Sequence, residues 1–374
     1  MVSLQSVRRL LALLLCATFL TWGSVTPLAS AAVLTRMAHA YPVVLVTAQD
    51  GWAFNADGVL RTTDGGRLWH LVLTGSDAPS EPSTNQFSTE GASTLWALSL
   101  TSTHAGRSLR WIVVHTADSG RHWAVEPWTG AYPLSITAWN SRDAWVVGAT
   151  RSARPRLVVY RTTDGGRTWS HTPMSKSGLP RPRGRLMGAA VSFSTPADGV
   201  LYAVDNHGNP LIYWTHDGGR LWHKAAITYP RVGRSALLNI SRVQLFFGTP
   251  RGLLVVTGAG GGGSLYETGD RGRTWTLVGK TPGDAVSFLN ASTGWALGGV
   301  AHGETITYHL YRTTNGGGTW EPLQARPPLG WTGFGFVTPA IGILVIPGNF
   351  LETHNGGETW TFENPLVVHP APAG

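Results

Sequence analysis

The ten residues RTTDGGRLWH at 61–70 return as RTTDGGRTWS at 161–170 and as RTTNGGGTWE at 312–321. Repetition at long intervals constrains a fold more than composition does, because each repeat must be one structural unit. Relaxed to Thr-x-Asp/Asn-x-Gly-x-x-Trp, the pattern also appears in HTADSGRHWA (115–124), WTHDGGRLWH (214–223), ETGDRGRTWT (267–276) and ETHNGGETWT (352–361). The seven octets carry their acidic or amide residue at Asp64, Asp118, Asp164, Asp217, Asp270, Asn315 and Asn355, spaced by 54, 46, 53, 53, 45 and 40 residues. Periods of about 40–50 residues belong to propeller blades or to helical arrays.

The residues between octets decide between the two. In the first unit VVLVT (43–47), WAFN (52–55), VLRTT (59–63) and WHLVL (69–73) are separated by QDG, ADG and the octet itself. Four short runs of β-branched and aromatic residues with turn chemistry between them read as a four-stranded meander. No window after residue 40 carries an amphipathic helical stripe. A weaker motif marks the second strand: GWAF (51–54), LWAL (95–98), AWVV (144–147) and GWAL (294–297), with VLYAV (200–204), GLLVV (252–256) and IGILV (341–345) in the other units. Seven such units predict an all-β, seven-bladed propeller of four-stranded antiparallel blades, with an octet at each turn between strands three and four.

Within the octet the Asx oxygen is placed to accept backbone N–H groups from the residues just after it. The Gly supplies a backbone conformation other residues resist. The Trp residues (Trp69, Trp123, Trp169, Trp222, Trp275, Trp320 and Trp360) open strand four and are expected to pack on a neighbouring sheet. Asn at two of the seven positions means that an oxygen acceptor is needed more than a charge. The octet therefore reads as a structural staple rather than as a catalytic or metal-binding acid.

The first 31 residues have the form of a secretory signal: Arg8 and Arg9, an apolar run from Leu10 to Trp22, then Ala29-Ser30-Ala31. Cleavage is expected after Ala31, leaving a propeller over 32–368 and a flexible tail over 369–374. An uncleaved anchor is the rival, but the apolar run is shorter than the ~20 residues that span a bilayer. Cys16 is the single cysteine, so the processed chain holds no disulfide. Cleavage would lower the net charge of +8 by the two arginines it removes.

The octet, paired with the GWA motif in a seven-unit chain that opens with an export signal, resembles the Asp-box or bacterial neuraminidase repeat. That repeat occurs in sialidases, some endoglucanases, sortilin-type receptors and the photosystem II stability/assembly factor-like proteins, and the chain looks most like the last group. The resemblance covers nearly the whole processed chain. It implies help in building or stabilising a membrane protein complex. It is specific for fold and weak for function, because function lives in sites grafted onto propellers.

Sorting cations by blade position gives one candidate surface. The hairpins between strands two and three, and the links between blades, share one end of the ring. There the chain places Arg107, Arg110, Arg151, Arg154 and Arg156, then Lys176, Arg181, Arg183 and Arg185, then Arg231 and Arg234, with no Asp or Glu in those segments. Arginine far outnumbers lysine, which suits planar, bidentate recognition of carboxylate or phosphate. Arg154, Arg156, Arg181, Arg183, Arg185, Arg231 and Arg234 are the candidate docking residues for an anionic partner: an acidic protein surface or an anionic envelope component. A solvated basic rim is the bland alternative. Nucleic acid fits poorly, since no nucleic-acid-binding signature appears.

An enzyme of the sialidase kind needs a hearing, because glycosidases work with paired carboxylates. Across the expected innermost strands (43–47, 86–90, 134–139, 189–194, 243–247, 285–289 and 332–337) Glu90 is the one carboxylate. The run Gly258–Gly263 lacks the strand–helix context of a dinucleotide fingerprint. No histidine pair has ligand spacing. The expectation is an exported, monomeric, non-catalytic propeller without cofactor or metal, peripheral to a membrane at most, that serves as a binding or assembly scaffold. The alternative is a carbohydrate-active or cell-wall-binding propeller.

Overall fold

The computed structural model describes residues 33–36, 42–79, 82, 86–102, 109–152, 155–179, 186–205, 210–229, 239–246, 248–257, 262–283, 285–302, 305–328, 330–331, 333–346, 349–363 and 366–369, all in one compact unit. The signal segment lies outside the described residues.

Seven antiparallel meanders follow one another along the chain, and together they make a seven-bladed β-propeller. From the inner strand outward, blade one is Val43–Leu45, Gly51–Asn55, Gly58–Thr62 and Leu68–Thr74. Blade two is Phe87–Glu90, Thr94–Ser102, Leu109–Thr116 and Ala124–Pro127; blade three is Tyr132–Ala138, Ala144–Ala149, Leu157–Thr162 and Ser170–His171. Blade four is Leu186–Phe193, Gly199–Asp205, Pro210–Thr215 and His223–Lys224; blade five is Asn239–Leu245, Gly252–Thr257, Gly263–Thr268 and Thr274–Thr281. Blade six is Ala285–Phe288, Gly294–His302, Thr305–Thr313 and Glu321–Pro322; blade seven is Gly333–Phe336, Gly342–Ile346, Asn349–Thr353 and Thr361–Glu363.

Two blades gain strands that the repeat does not encode. The link after blade four lays Ala226–Ile227 parallel to the outer strand of blade five. At blade one, Leu366–His369 runs parallel to Leu68–Thr74, with Val367 opposite Trp69, and Val33–Arg36 pairs antiparallel outside it. The ring is thus latched where the two ends of the described chain meet. Val367 is buried in a cluster with Leu45, Leu60 and Trp69 of blade one and Ile343, Val345 and Phe350 of blade seven.

The second strand of each blade is buried on both faces, since each face meets a neighbouring blade. Gly51–Asn55 and Ala144–Ala149 are buried at every residue, which is why these strands read as continuous apolar runs rather than alternating ones. The inner strands are joined by side-chain staples in addition. Ser88, Ser192 and Ser287 accept hydrogen bonds from the backbone N–H of Ala138, Leu245 and Phe336 on the next blade, at 3.0, 3.1 and 3.1 Å.

Candidate functional site

The octets form one repeated structure. Thr at the first position donates its hydroxyl to the Asx Oδ1, as from Thr62 to Asp64 at 2.8 Å and from Thr353 to Asn355 at 3.0 Å. The same hydroxyl oxygen accepts the N–H of the Gly four residues on, Gly66 in blade one at 2.9 Å. Oδ1 of Asp64, Asp118, Asp164, Asp217, Asp270, Asn315 and Asn355 in turn accepts the N–H of the residue four positions later, at 2.9–3.0 Å. Between them the fourth-position N–H donates to a carbonyl of the turn joining strands one and two, Gln49 in blade one and Arg142 in blade three. Both hairpins of a blade are thereby tied together at one end of the ring.

Positions four and five both sit at positive φ. In blade one Gly65 is at 78° and Gly66 at 96°; Ser119 and Arg271 hold position four at 65° and 61°. Position five has a second reason to be Gly. A Cβ on Gly272 would come within 2.2 Å of Val200, and one on Gly317 within 2.1 Å of Leu265, each on the preceding blade. The octet Trp packs the same way: Trp69 against blade seven, Trp123 against Trp52, Trp169 against Trp96, Trp222 against blade three, Trp275 against blade four, Trp320 against Phe288 and the blade-five core, and Trp360 against Phe336 and the blade-six core.

The GWA motif is explained by its cross-strand neighbour. Trp52, Trp145 and Trp295 pair in register with Arg61, Arg161 and Arg312, whose guanidinium groups lie 4.9, 5.2 and 6.0 Å from the ring centroids. Trp96 has His115 instead, stacked at 3.9 Å. Where strand two is aliphatic the partner is neither arginine nor histidine: Val200 faces Trp214, Leu253 faces Glu267 and Ile343 faces Glu352. An arginine opposite a tryptophan gains a cation–π contact, which fits the pairing of Arg with Trp in blades one, three and six.

Hydrogen bonds to Thr168 hold the Asp164 carboxyl down at about 2. Oδ2 of Asp164 accepts the Thr168 hydroxyl at 2.6 Å, whereas in blade six Nδ2 of Asn315 donates to Thr319 Oγ1 at 2.9 Å. A hydroxyl turns to meet either group. Asp164→Asn is therefore expected to leave the melting temperature nearly unchanged, while Asp164→Ala orphans the Thr168 N–H and costs about 1–2 kcal/mol. Thermal melts in which Asn is as damaging as Ala would assign a role to the charge itself.

Of the candidate docking residues, Arg156 is described: it is partly buried and donates from a terminal nitrogen to the Met174 carbonyl at 3.3 Å. Arg154, Arg181, Arg183, Arg185, Arg231 and Arg234 lie outside the described residues. Two other cations of the same end, Arg110 and Arg151, border a groove of about 640 Å³ between blades two and three. Its walls are aromatic. Trp111 meets Tyr132 edge to face at 5.6 Å, Trp128 meets Tyr160 at 4.9 Å, and the Arg151 guanidinium lies 5.6 Å from the Tyr132 ring. The link between the blades forms the floor. Ala131 accepts from Trp128 Nε1 at 2.7 Å and donates its N–H to the Tyr160 hydroxyl at 2.8 Å. Gly130 crosses so close to the Trp128 ring that a Cβ there would approach it to 2.5 Å. Among the described residues, no Asp or Glu lines this groove.

Sequence reasoning found the arginines and missed the aromatic walls. Trp111, Trp128, Tyr132 and Tyr160 come from two blades and a link, so no periodicity joins them. Among carboxylates, Glu90 stands on the inner strand of blade two and burial raises its pKa. Among the described residues, no group of three or more His, Cys, Asp and Glu side chains has an arrangement that would hold a metal ion.

No protein-family model matches the sequence, and comparison with curated proteins finds no match. Solved structures do match in fold. The GH74 xyloglucanase of Xanthomonas campestris superposes with a TM-score of 0.59 at 16% identity over 91% of this chain. The chain spans 56% of that enzyme's length. YCF48, solved with a bound D1 peptide, superposes with a TM-score of 0.52 at 19% identity, covering 89% of this chain and 98% of that one. An ancestral GH74 enzyme, AFV00434, gives 0.50 at 12% identity over 88% of this chain and 46% of its own. At such identities the likeness is one of architecture, shared by a peptide-bound propeller and by glycoside hydrolases.

Proposed function

We propose that this chain is an exported, non-catalytic binding propeller, a scaffold for assembling or stabilising an envelope complex, which takes up an acidic segment of a partner protein in the groove between blades two and three. The groove itself carries the reading: two arginines over aromatic walls, with no carboxylate among the described lining residues. Arginines at a rim raise association rate and select for negative charge. Aromatic walls supply apolar contact area at small entropic cost. The whole-length likeness to YCF48, a protein solved with a peptide bound, supports the same direction.

Glycan binding is the second reading, favoured by the same exposed rings, since Tyr132 is 42% exposed. The two are separated by titrating tryptophan fluorescence with a synthetic Glu/Phe peptide, a Lys/Phe peptide of equal length, and a xyloglucan oligosaccharide. The expected result is saturable binding of the acidic peptide that weakens with salt. Changing Arg110 and Arg151 together to Ser should weaken it at least tenfold with an unchanged melting temperature. Oligosaccharide binding without peptide binding would overturn the proposal in favour of the glycan reading.

A further inference from the structure

The repeat gives every junction between blades four equivalent positions: the strand-three residue just before the octet, its partner on strand four, the second octet residue, and the sixth octet residue of the next blade. Between blades one and two these positions are Arg61, His70, Thr63 and Arg121, but Arg61 is buried there and paired with Asp50 at 2.7 Å. Between blades six and seven these positions are Arg312, Glu321, Thr314 and Glu358; between seven and one they are Glu352, Thr361, His354 and Arg67. Both sets mix charges. Between blades four and five Arg273 is already engaged, donating from Nε to His216 at 2.8 Å and lying 5.1 Å from the Trp214 ring.

Between blades three and four the set is Arg161, Ser170, Thr163 and Arg220, and there the crevice opens to about 480 Å³. His171 and Thr172 add an imidazole and a third hydroxyl, Val159 and Pro173 give apolar walls, and among the described residues no carboxylate lines the space. Arg161 is fixed from behind. Asp143 accepts from its NH2 at 3.2 Å and Trp145 lies beneath it, while NH1 sits where a Cβ on Gly218 would approach it to 2.1 Å. Arg220 is exposed, and its guanidinium has no partner among the described residues. One guanidinium held in place, one free to close, and hydroxyls lining the same space suit the three terminal oxygens of a phosphate or sulfate. The space exceeds what an inorganic ion fills, and its apolar walls suit a carbon skeleton.

We propose that this crevice binds a phosphate or sulfate ester of a small polyol such as a sugar. The site lies on the face of blade three opposite the peptide groove: Tyr160 lines one and Arg161, the next residue on the strand, lines the other. It stands independently of the peptide reading.

The test is calorimetric titration of the full chain with glucose 6-phosphate, glucose 6-sulfate and glucose, at constant ionic strength held with sodium chloride. At least one ester should bind at least tenfold tighter than glucose, and the stronger of the two identifies the source of the oxyanion. Arg220→Gln should weaken that ester at least tenfold. The fold tolerates this change, since Gly318 and Glu358 occupy the equivalent position in blades six and seven. Thr163→Val should weaken it as well, while Arg151→Ser in the peptide groove should not. If neither ester exceeds glucose, or if Arg220→Gln binds both as the parent does, the proposal is wrong.

Discussion

Trp145→Ala is expected to lower the unfolding free energy by about 4–5 kcal/mol, the upper range for deleting a buried aromatic ring. Trp145 is fully buried, and its ring stacks on Phe193 of the next blade at 3.8 Å and 12°. Its Nε1 donates to the carbonyl of Gly218, inside the next blade's octet, at 2.9 Å. Alanine would leave a cavity at the junction, an unpaired buried carbonyl and an Arg161 without its aromatic face. Trp145→Phe keeps most of the ring and should cost less than half as much. Trp295 has the same three partners, in Phe336, the Gly356 carbonyl and Arg312, so Trp295→Ala should match within about 1 kcal/mol. Urea unfolding decides. A loss below about 2 kcal/mol at both sites would mean that these tryptophans do not lock the blades together.

Acidification should destabilise the propeller in two stages. Burial pushes the His115 imidazole down to about 4, against a smaller opposing effect of Asp118. The folded chain therefore resists a proton that the unfolded chain accepts near 6.5. The stability that neutral His115 contributes is complete above that pH and declines as pH falls from 6.5 toward 4, by at most about 3 kcal/mol. The octet acids follow. A backbone hydrogen bond from His122 leads in holding Asp118 at about 2, and the Thr168 hydroxyl leads in doing so for Asp164. Both are easier to ionise folded than unfolded, so their contribution is present above about 4 and is lost as pH falls toward 2. His115→Phe keeps a ring against Trp96 and should remove the first stage while leaving the second. Urea midpoints between pH 7.5 and 4 that fall equally in both proteins would refute the assignment to His115.

Much of this molecule is legible in its sequence. The octet period counted the blades, and the turn chemistry around VVLVT, WAFN, VLRTT and WHLVL placed the strands to within two residues at their ends. Asn315 and Asn355 already showed that the acidic position is an acceptor, because a repeat samples one structural slot seven times. The outer strands were harder to place. Ser170–His171 and His223–Lys224 are two residues long, since an edge strand has one hydrogen-bonding partner and little burial to define it.

The sequence of one blade specifies its strand number, its turn geometry and the identity of its staple. The contacts between blades follow from the closed ring. That Trp145 stacks on Phe193 of the next blade, that Gly317 is flush against Leu265 and that Leu366–His369 latches blade one are facts of register and adjacency. So is the meeting of Trp111, Trp128, Tyr132 and Tyr160 around one groove. Period and propensity describe how a segment folds on itself, whereas a junction joins residues far apart along the chain, and only the closed ring brings them within contact distance.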